Sequence, residues 1–238
     1  MQTDRILYLP VAPEFFAILV IAFIVVTVAV QFRLLRYAYM QLGVSSKTAV
    51  LLLLGSLIGS YVNIPLVEIA NRGPTVTKVV ELFGMRYLLP AASSTSSTVI
   101  AVNVGGALIP AVMSFYLLAH YRLWRQGAIC TAVVGVLCFY LATPVPGVGI
   151  SVPLFVPAIA SAVVAFVSDR EYVAPLAYIG GSLGTLIGAD LMNLDKVAGL
   201  GAQVASIGGA GTFDGIFLTS IIAVLLGSLT KRGAPEPA

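Results

Sequence analysis

Two aspartates stand where a charge has no ordinary reason to be. Asp190 lies in GADLMNL and Asp214 in GGAGTFDGIFL, each among glycines and apolar residues. Such a pair supports three chemistries. If the carboxylates approach closely, repulsion and desolvation raise one apparent pKa, and the pair holds a single proton near neutral pH. One acid beside one base is the arrangement that activates water on a peptide bond. The same carboxylates could instead titrate or hold a small cation along a transport route. In the third case each only hydrogen-bonds a neighbouring helix, and the pair is structural. None of the thirteen lysines and arginines lies deep in an apolar run, so an ion-pair partner would have to come from a loop folded inward.

The elements that must position these acids are membrane helices. The 238 residues are 59% hydrophobic and only 10% charged, with a mean hydropathy of +1.01, whereas soluble domains carry about 25% charged residues. Apolar runs of spanning length occur near 15–32, 48–67, 97–119, 127–143, 148–168, 173–193 and 208–229. The expected fold is an all-α integral membrane bundle of about seven helices, one domain over 1–232 with a disordered tail at 233–238. The first run follows a stretch with both acidic and basic residues and precedes no small-residue cleavage site, so it reads as a retained span rather than a signal peptide. Arg33, Arg36, Lys47, Arg122, Arg125, Arg170, Lys231 and Arg232 fall on one side of this topology, and Arg5, Arg72, Lys78, Arg86 and Lys196 on the other. The excess places the N-terminus outside and the C-terminus inside a plasma (inner) membrane.

The same inventory excludes several functions. A net charge of +3, scattered beside apolar runs, gives no nucleic-acid footprint. One histidine and two cysteines in apolar context make no metal or cofactor signature. Cys130 and Cys138 are eight residues apart, about 12 Å along a helix, too far for a disulfide. The expected partners are the bilayer and either a transmembrane peptide or a proton or small cation.

Small and polar residues surround the acids. Gly180, Gly184 and Gly188 recur every four residues and form a packing stripe, with Asp190 turned about 200° from Gly188. The glycines before Asp214 loosen a helix start and free backbone amides near Gly211 and Thr212. Asn63 shares a face with Ser56 and Ser60 in the second run, and Asn103 with Gly106 and Pro110 in the third. With Asn193 these suggest a polar interior at the level of the acids. Residues 71–96 read as a small hairpin or an interfacial helix, and 194–210 as a short amphipathic or re-entrant piece. His120, in HYRLWR, reads as a helix-end residue at the interface.

Two resemblances follow from these motifs. GTFDGIF, preceded by an acid on the previous span, resembles the GxGD-type intramembrane aspartyl proteases, the group of presenilin and signal peptide peptidase. Gly211 matches the first glycine and Asp214 the acid, while Asp190 takes the place of the first acid; Phe213 stands where the motif has glycine, and Ala189 where it has tyrosine. That likeness implies catalytic roles for Asp190 and Asp214, with nearby backbone holding an extended substrate. Over its whole length, through SYVNIPL, NVGGALIP, GADLMNL and GTFDGIFL, the chain resembles an uncharacterised family of small bacterial and archaeal membrane proteins. The alternatives stay open: a peptidase, a proton- or cation-coupled transporter or channel, or an accessory membrane subunit.

Overall fold

In the computed structural model, the described residues are 13–70, 79–82, 85–88, 97–145, 149–197, 204–209 and 215–229. They form a helical bundle with short strands gathered at one end. Helix α1 (Pro13–Met40) is followed by α2 (Ser46–Gly59), whose N-cap Ser45 accepts the Thr48 N–H at 3.2 Å. Strands β1 (Asn63–Ala70), β2 (Val79–Leu82), β3 (Met85–Leu88) and β4 (Ser97–Asn103) come next. A wide π-type turn, Val104–Leu108, leads into α3 (Ile109–His120), then α4 (Trp124–Leu141). The hairpin β5 (Thr143–Val145) and β6 (Gly149–Ser151) precedes α5 (Phe155–Ser168). Helix α6 (Val173–Ile179) continues through π-type turns at Gly180–Gly184 and Leu186–Asp190 and a 3-10 turn at Leu191–Asn193 into the one-turn α7 (Leu194–Val197). Strand β7 (Val204–Ile207) and helix α8 (Gly215–Ser228) complete the order.

The expected all-α architecture is corrected at the strand end. The 48–67 run is helical only to Gly59, and its remainder opens β1; the 97–119 run begins as β4, and the 148–168 run begins as β6. Pro65 and Pro153 disfavour helix in the first and last of these stretches, and Val, Ile and Thr favour extended backbone. Strand β4 is central: β1 pairs with it antiparallel, from Asn63↔Asn103 to Ala70↔Ser97, and β7 pairs parallel, from Val99↔Val204 to Val102↔Ile207. Pro65 sits on the edge strand β1, beside the register shift between Pro65 and Val67, where a missing N–H is tolerated. The undecided 71–96 segment contains the antiparallel pair β2–β3, and the expected re-entrant piece at 194–210 contributes α7 and β7. The tail at 233–238 lies outside the described residues.

At the opposite end the helix-joining loops meet. The Tyr121 hydroxyl donates to Leu42 O at 3.1 Å, and the rings of Tyr121 and Tyr172 lie 5.2 Å apart. His120 stacks there on Tyr116 and meets Tyr121 edge-on, as a helix-end residue remote from both aspartates in the chain. Arg33 and Arg36, expected just beyond the first span, instead lie within α1, which runs on to Met40.

The glycine stripe packs as its spacing requires. A Cβ on Gly188 would meet Gly135 O at 2.0 Å, so α6 can approach the α4 backbone this closely only with hydrogen there. Ser161 of α5 donates to Ala177 O of α6 at 2.7 Å, and the hydroxyls of Ser182 and Ser220 pair α6 with α8 at 2.7 Å. Cys130 and Cys138 are buried and free. Two helices, Phe16–Met40 and Trp124–Leu141, are long and apolar enough to cross a membrane; four shorter apolar ones are Ser46–Gly59, Val104–His120, Phe155–Ser168 and Ile216–Ser228. The outward surface is apolar: Phe23 is 72% exposed, and Tyr140 and Val167 are each 79% exposed.

Candidate functional site

The site is assembled where the sheet meets the ends of α2, α3 and α6. Asp190 closes the second π-type turn of α6 and is half-buried. Its Oδ2 accepts the Gly208 N–H at 2.7 Å, and among the described residues this is its hydrogen bond. Gly208 follows directly on β7 and has φ +75°, a left-handed conformation that favours glycine. A Cβ there would also lie 2.5 Å from Ala107 Cβ, so the chain threads between Asp190 and the turn that opens α3.

Strand register brings three polar side chains to the neighbouring corner. Asn63 opposes Asn103 across β1–β4, and Ser206 opposes Ala101 across β4–β7. Asn103 is 2% exposed and uses its whole amide: Nδ2 donates to Ser60 O at 2.7 Å and to Asn63 Oδ1 at 3.1 Å, while Oδ1 accepts the Gly106 N–H at 2.8 Å. The last bond caps the Val104–Leu108 turn at Gly106, while the Val104 N–H donates to Val62 O at 3.0 Å. Ser206 donates to the same Asn63 Oδ1 at 2.5 Å. Asn63 is exposed and Asn103 buried, so the network leads from the surface inward.

Asn193 does not join this network. It is fully buried, and its Nδ2 donates to Gly188 O at 2.9 Å and Ala189 O at 3.0 Å, carbonyls that the wide turns leave available. Its Oδ1 accepts from Lys196 Nζ at 2.5 Å, and that ammonium stands 5.1 Å above the Phe139 ring. Asn193 therefore holds the end of α6 instead of lining the corner. Gly211, Thr212 and Asp214 lie outside the described residues.

Sequence reading did not identify Ser206 or Gly208. Their signal was weak: a short β-branched run, VASI, followed by two glycines. It also missed a second polar group inside the bundle. Tyr39 and Tyr178 are fully buried with ring centroids 6.1 Å apart, and Ser56 is 5% exposed. The three hydroxyls interact with one another, Tyr39 with both Ser56 and Tyr178, without reaching full hydrogen-bond geometry among the described residues. No cluster of three or more His, Cys, Asp or Glu side chains suited to a metal occurs among the described residues.

A helical bundle closed at one end by a small mixed sheet, with a carboxylate latched beneath it by a strand-end amide, is the class that fold and site define. The chain belongs to the family described as Protein of unknown function (DUF1614), whose model matches residues 57–226. That region holds every candidate residue from Asn63 to Asp214. No curated protein and no solved structure matches the chain. The likeness to the GxGD proteases thus rests on its motif residues alone.

Proposed function

We propose that this chain is a multi-pass plasma (inner) membrane protein, N-terminus outside and C-terminus inside, in which Asp190 and Asp214 share a proton and activate water on a peptide bond of a membrane-borne substrate. The membrane part is supported by the apolar outward surface and by the two helices of spanning length. The observation that supports the pairing is where the described residues on either side of Asp214 are held. Six residues before it, Gly208 bonds directly to Asp190. Six residues after it, Ser220 bonds to Ser182, which lies on the same helical run as Asp190 and eight residues ahead of it. Both flanks of Asp214 are thereby tied to the run that carries Asp190. An acid–base pair formed there would lie under a sheet whose edge strand β7, unpaired on its outer side among the described residues, suits addition of an extended peptide.

A second reading has its own observation. The Asn63–Asn103–Ser206 network reaches Ser60 O at the end of α2, and one turn earlier on that helix stands the buried Ser56, beside the hydroxyls of Tyr39 and Tyr178. Such a series of polar groups suits conduction of a proton or small cation, with Asp190 as the titrating member. One experiment separates the readings. Purified protein in liposomes is assayed in parallel for cleavage of a membrane-spanning reporter and for pH-driven or cation-driven flux, with Asp190→Asn and Asp214→Asn beside the wild type. Cleavage lost in both variants supports the peptidase. Flux lost without any cleavage in the wild type sinks it and supports conduction. Silence of the wild type in both assays leaves Asp190 as a structural latch for Gly208.

A further inference from the structure

Helices and sheet together measure how thick a bilayer this molecule fits. An open sheet edge does not occur in hydrocarbon that touches lipid, because its N–H and C=O groups find no partner there. The outer edges of β1 and β7 carry no further strand among the described residues, and the exposed residues of β1 include Asn63 and Glu68 beside Ile64, Leu66 and Val67. The sheet therefore belongs to the polar boundary, and the helices alone are left to cross the hydrocarbon. Those helices are short. Ser46–Gly59 and Phe155–Ser168 have 14 residues each, about 21 Å of rise, and Val104–His120 reaches about 25 Å. A typical hydrocarbon core is about 30 Å thick and takes about 20 residues.

The aromatic residues give an independent measure, since Trp and Tyr gather at the two membrane–water boundaries. On α4, Trp124 and Tyr140 are 55% and 79% exposed and stand sixteen residues apart, about 24 Å along the axis. Arg122 and Arg125 flank Trp124 at the loop end, and the exposed Tyr61, just past α2, joins Tyr140 at the sheet end. Both measures fall about 5–9 Å short of an ordinary core. Helix α1 differs: its span Phe16–Met40 has 25 residues, about 37 Å. It joins the bundle only near its C-terminal end, where Ala38 and Tyr39 are fully buried, whereas Ile18 and Phe23 stand exposed. A span longer than the local core tilts, and this exposed part has room to lean outward into bilayer of full thickness.

We propose that the bundle thins the bilayer around it to a hydrocarbon core of about 20–24 Å. Its matching partner is lipid whose acyl chains are about a quarter shorter than those of an ordinary bilayer, and longer chains are compressed to the same height. Asp190 lies where the α6 run ends beneath the sheet. Thinning sets that acid at the water boundary at a depth where the surrounding bilayer is still hydrocarbon, so a transmembrane segment arriving beside it loses its lipid cover there. This rests on the membrane reading above but not on peptide hydrolysis.

The test uses the full chain in liposomes of monounsaturated phosphatidylcholines with chains of fourteen to twenty-two carbons. The thermal unfolding midpoint is expected to be highest in the fourteen-carbon lipid and to fall as the chains lengthen, since each ångström of mismatch costs free energy. A midpoint highest at sixteen carbons or more, or unchanged along the series, overturns the proposal without any variant having to fold. Depth is read from Trp124, the one tryptophan of the chain, in eighteen-carbon bilayers whose lipids carry a doxyl quencher at the fifth or the twelfth carbon. Thinning predicts about twofold stronger quenching from the fifth carbon, both at Trp124 and at the indole that Tyr140→Trp introduces into Trp124→Phe. Equal or stronger quenching from the twelfth carbon at either position places that indole in hydrocarbon and overturns the proposal. Quenching from neither carbon at both positions would instead overturn the membrane reading.

Discussion

At the residue scale, Asp190 separates a latch from a working acid. Its carboxylate accepts one backbone N–H, and an asparagine at the same position can accept that bond while losing the charge. Asp190→Asn is therefore expected to keep the thermal stability of the wild type within about 0.5 kcal/mol and to abolish whichever of cleavage or flux the wild type shows. Asp190→Ala strands the Gly208 amide and is expected to cost about 1–3 kcal/mol, read as a lower unfolding midpoint in detergent. If the asparagine variant unfolds as early as the alanine one while activity persists, the acid is structural. Gly208→Ala probes the other partner. Its φ of +75° and the close Ala107 methyl predict a loss of about 1–2 kcal/mol or more, measured in the same melt.

At the scale of elements, the polar corner depends on Asn103, which joins the end of α2, the edge of β1 and the start of α3. Asn103→Ala leaves a buried amide N–H and a carbonyl without partners, and the expected loss is about 2 kcal/mol or more; a melt unchanged from wild type would show that the capping does not hold these elements. Much of this was legible beforehand. Asn63 and Asn103 stood out as polar residues at a common level, and the Gly180–Gly184–Gly188 spacing announced a packing face. The strands were not legible, for a physical reason. Strand β4 is paired on both edges, and five of its seven residues are Thr, Val, Ile or Ala, so it lacks the polar–apolar alternation of a half-exposed strand and reads as one apolar run with α3. The contact between Asn63 and Ser206 joins residues far apart in sequence, which no local pattern specifies. Arg36 was misplaced because α1 runs past its apolar stretch.

At the scale of the molecule, the three loops at 41–45, 121–123 and 169–172 share one end and the sheets the other. Both native cysteines are buried, so introduced ones report alone. With the proposed orientation, Ser45→Cys and Glu171→Cys are expected to react with a membrane-impermeant maleimide only after the cells are opened. Tyr61→Cys and Thr143→Cys should react in intact cells. The reverse pattern inverts the orientation, and a split between Ser45 and Glu171 breaks the seven-helix topology.

The parallel pairing of β4 with β7 also sets an order of assembly. Asn103 leaves the ribosome 103 residues before Ser206, about 5–20 s at ordinary rates of synthesis. During that interval β1 and β4 can pair, but β4 has a bare edge, and the acceptor Asn63 lacks one of its two donors. Only when β7 arrives is the sheet complete, and its next residue, Gly208, reaches Asp190. The carboxylate thus acquires its latch only after β7 has been made, and a nascent chain halted before residue 204 carries the acid without the Gly208 amide that holds it.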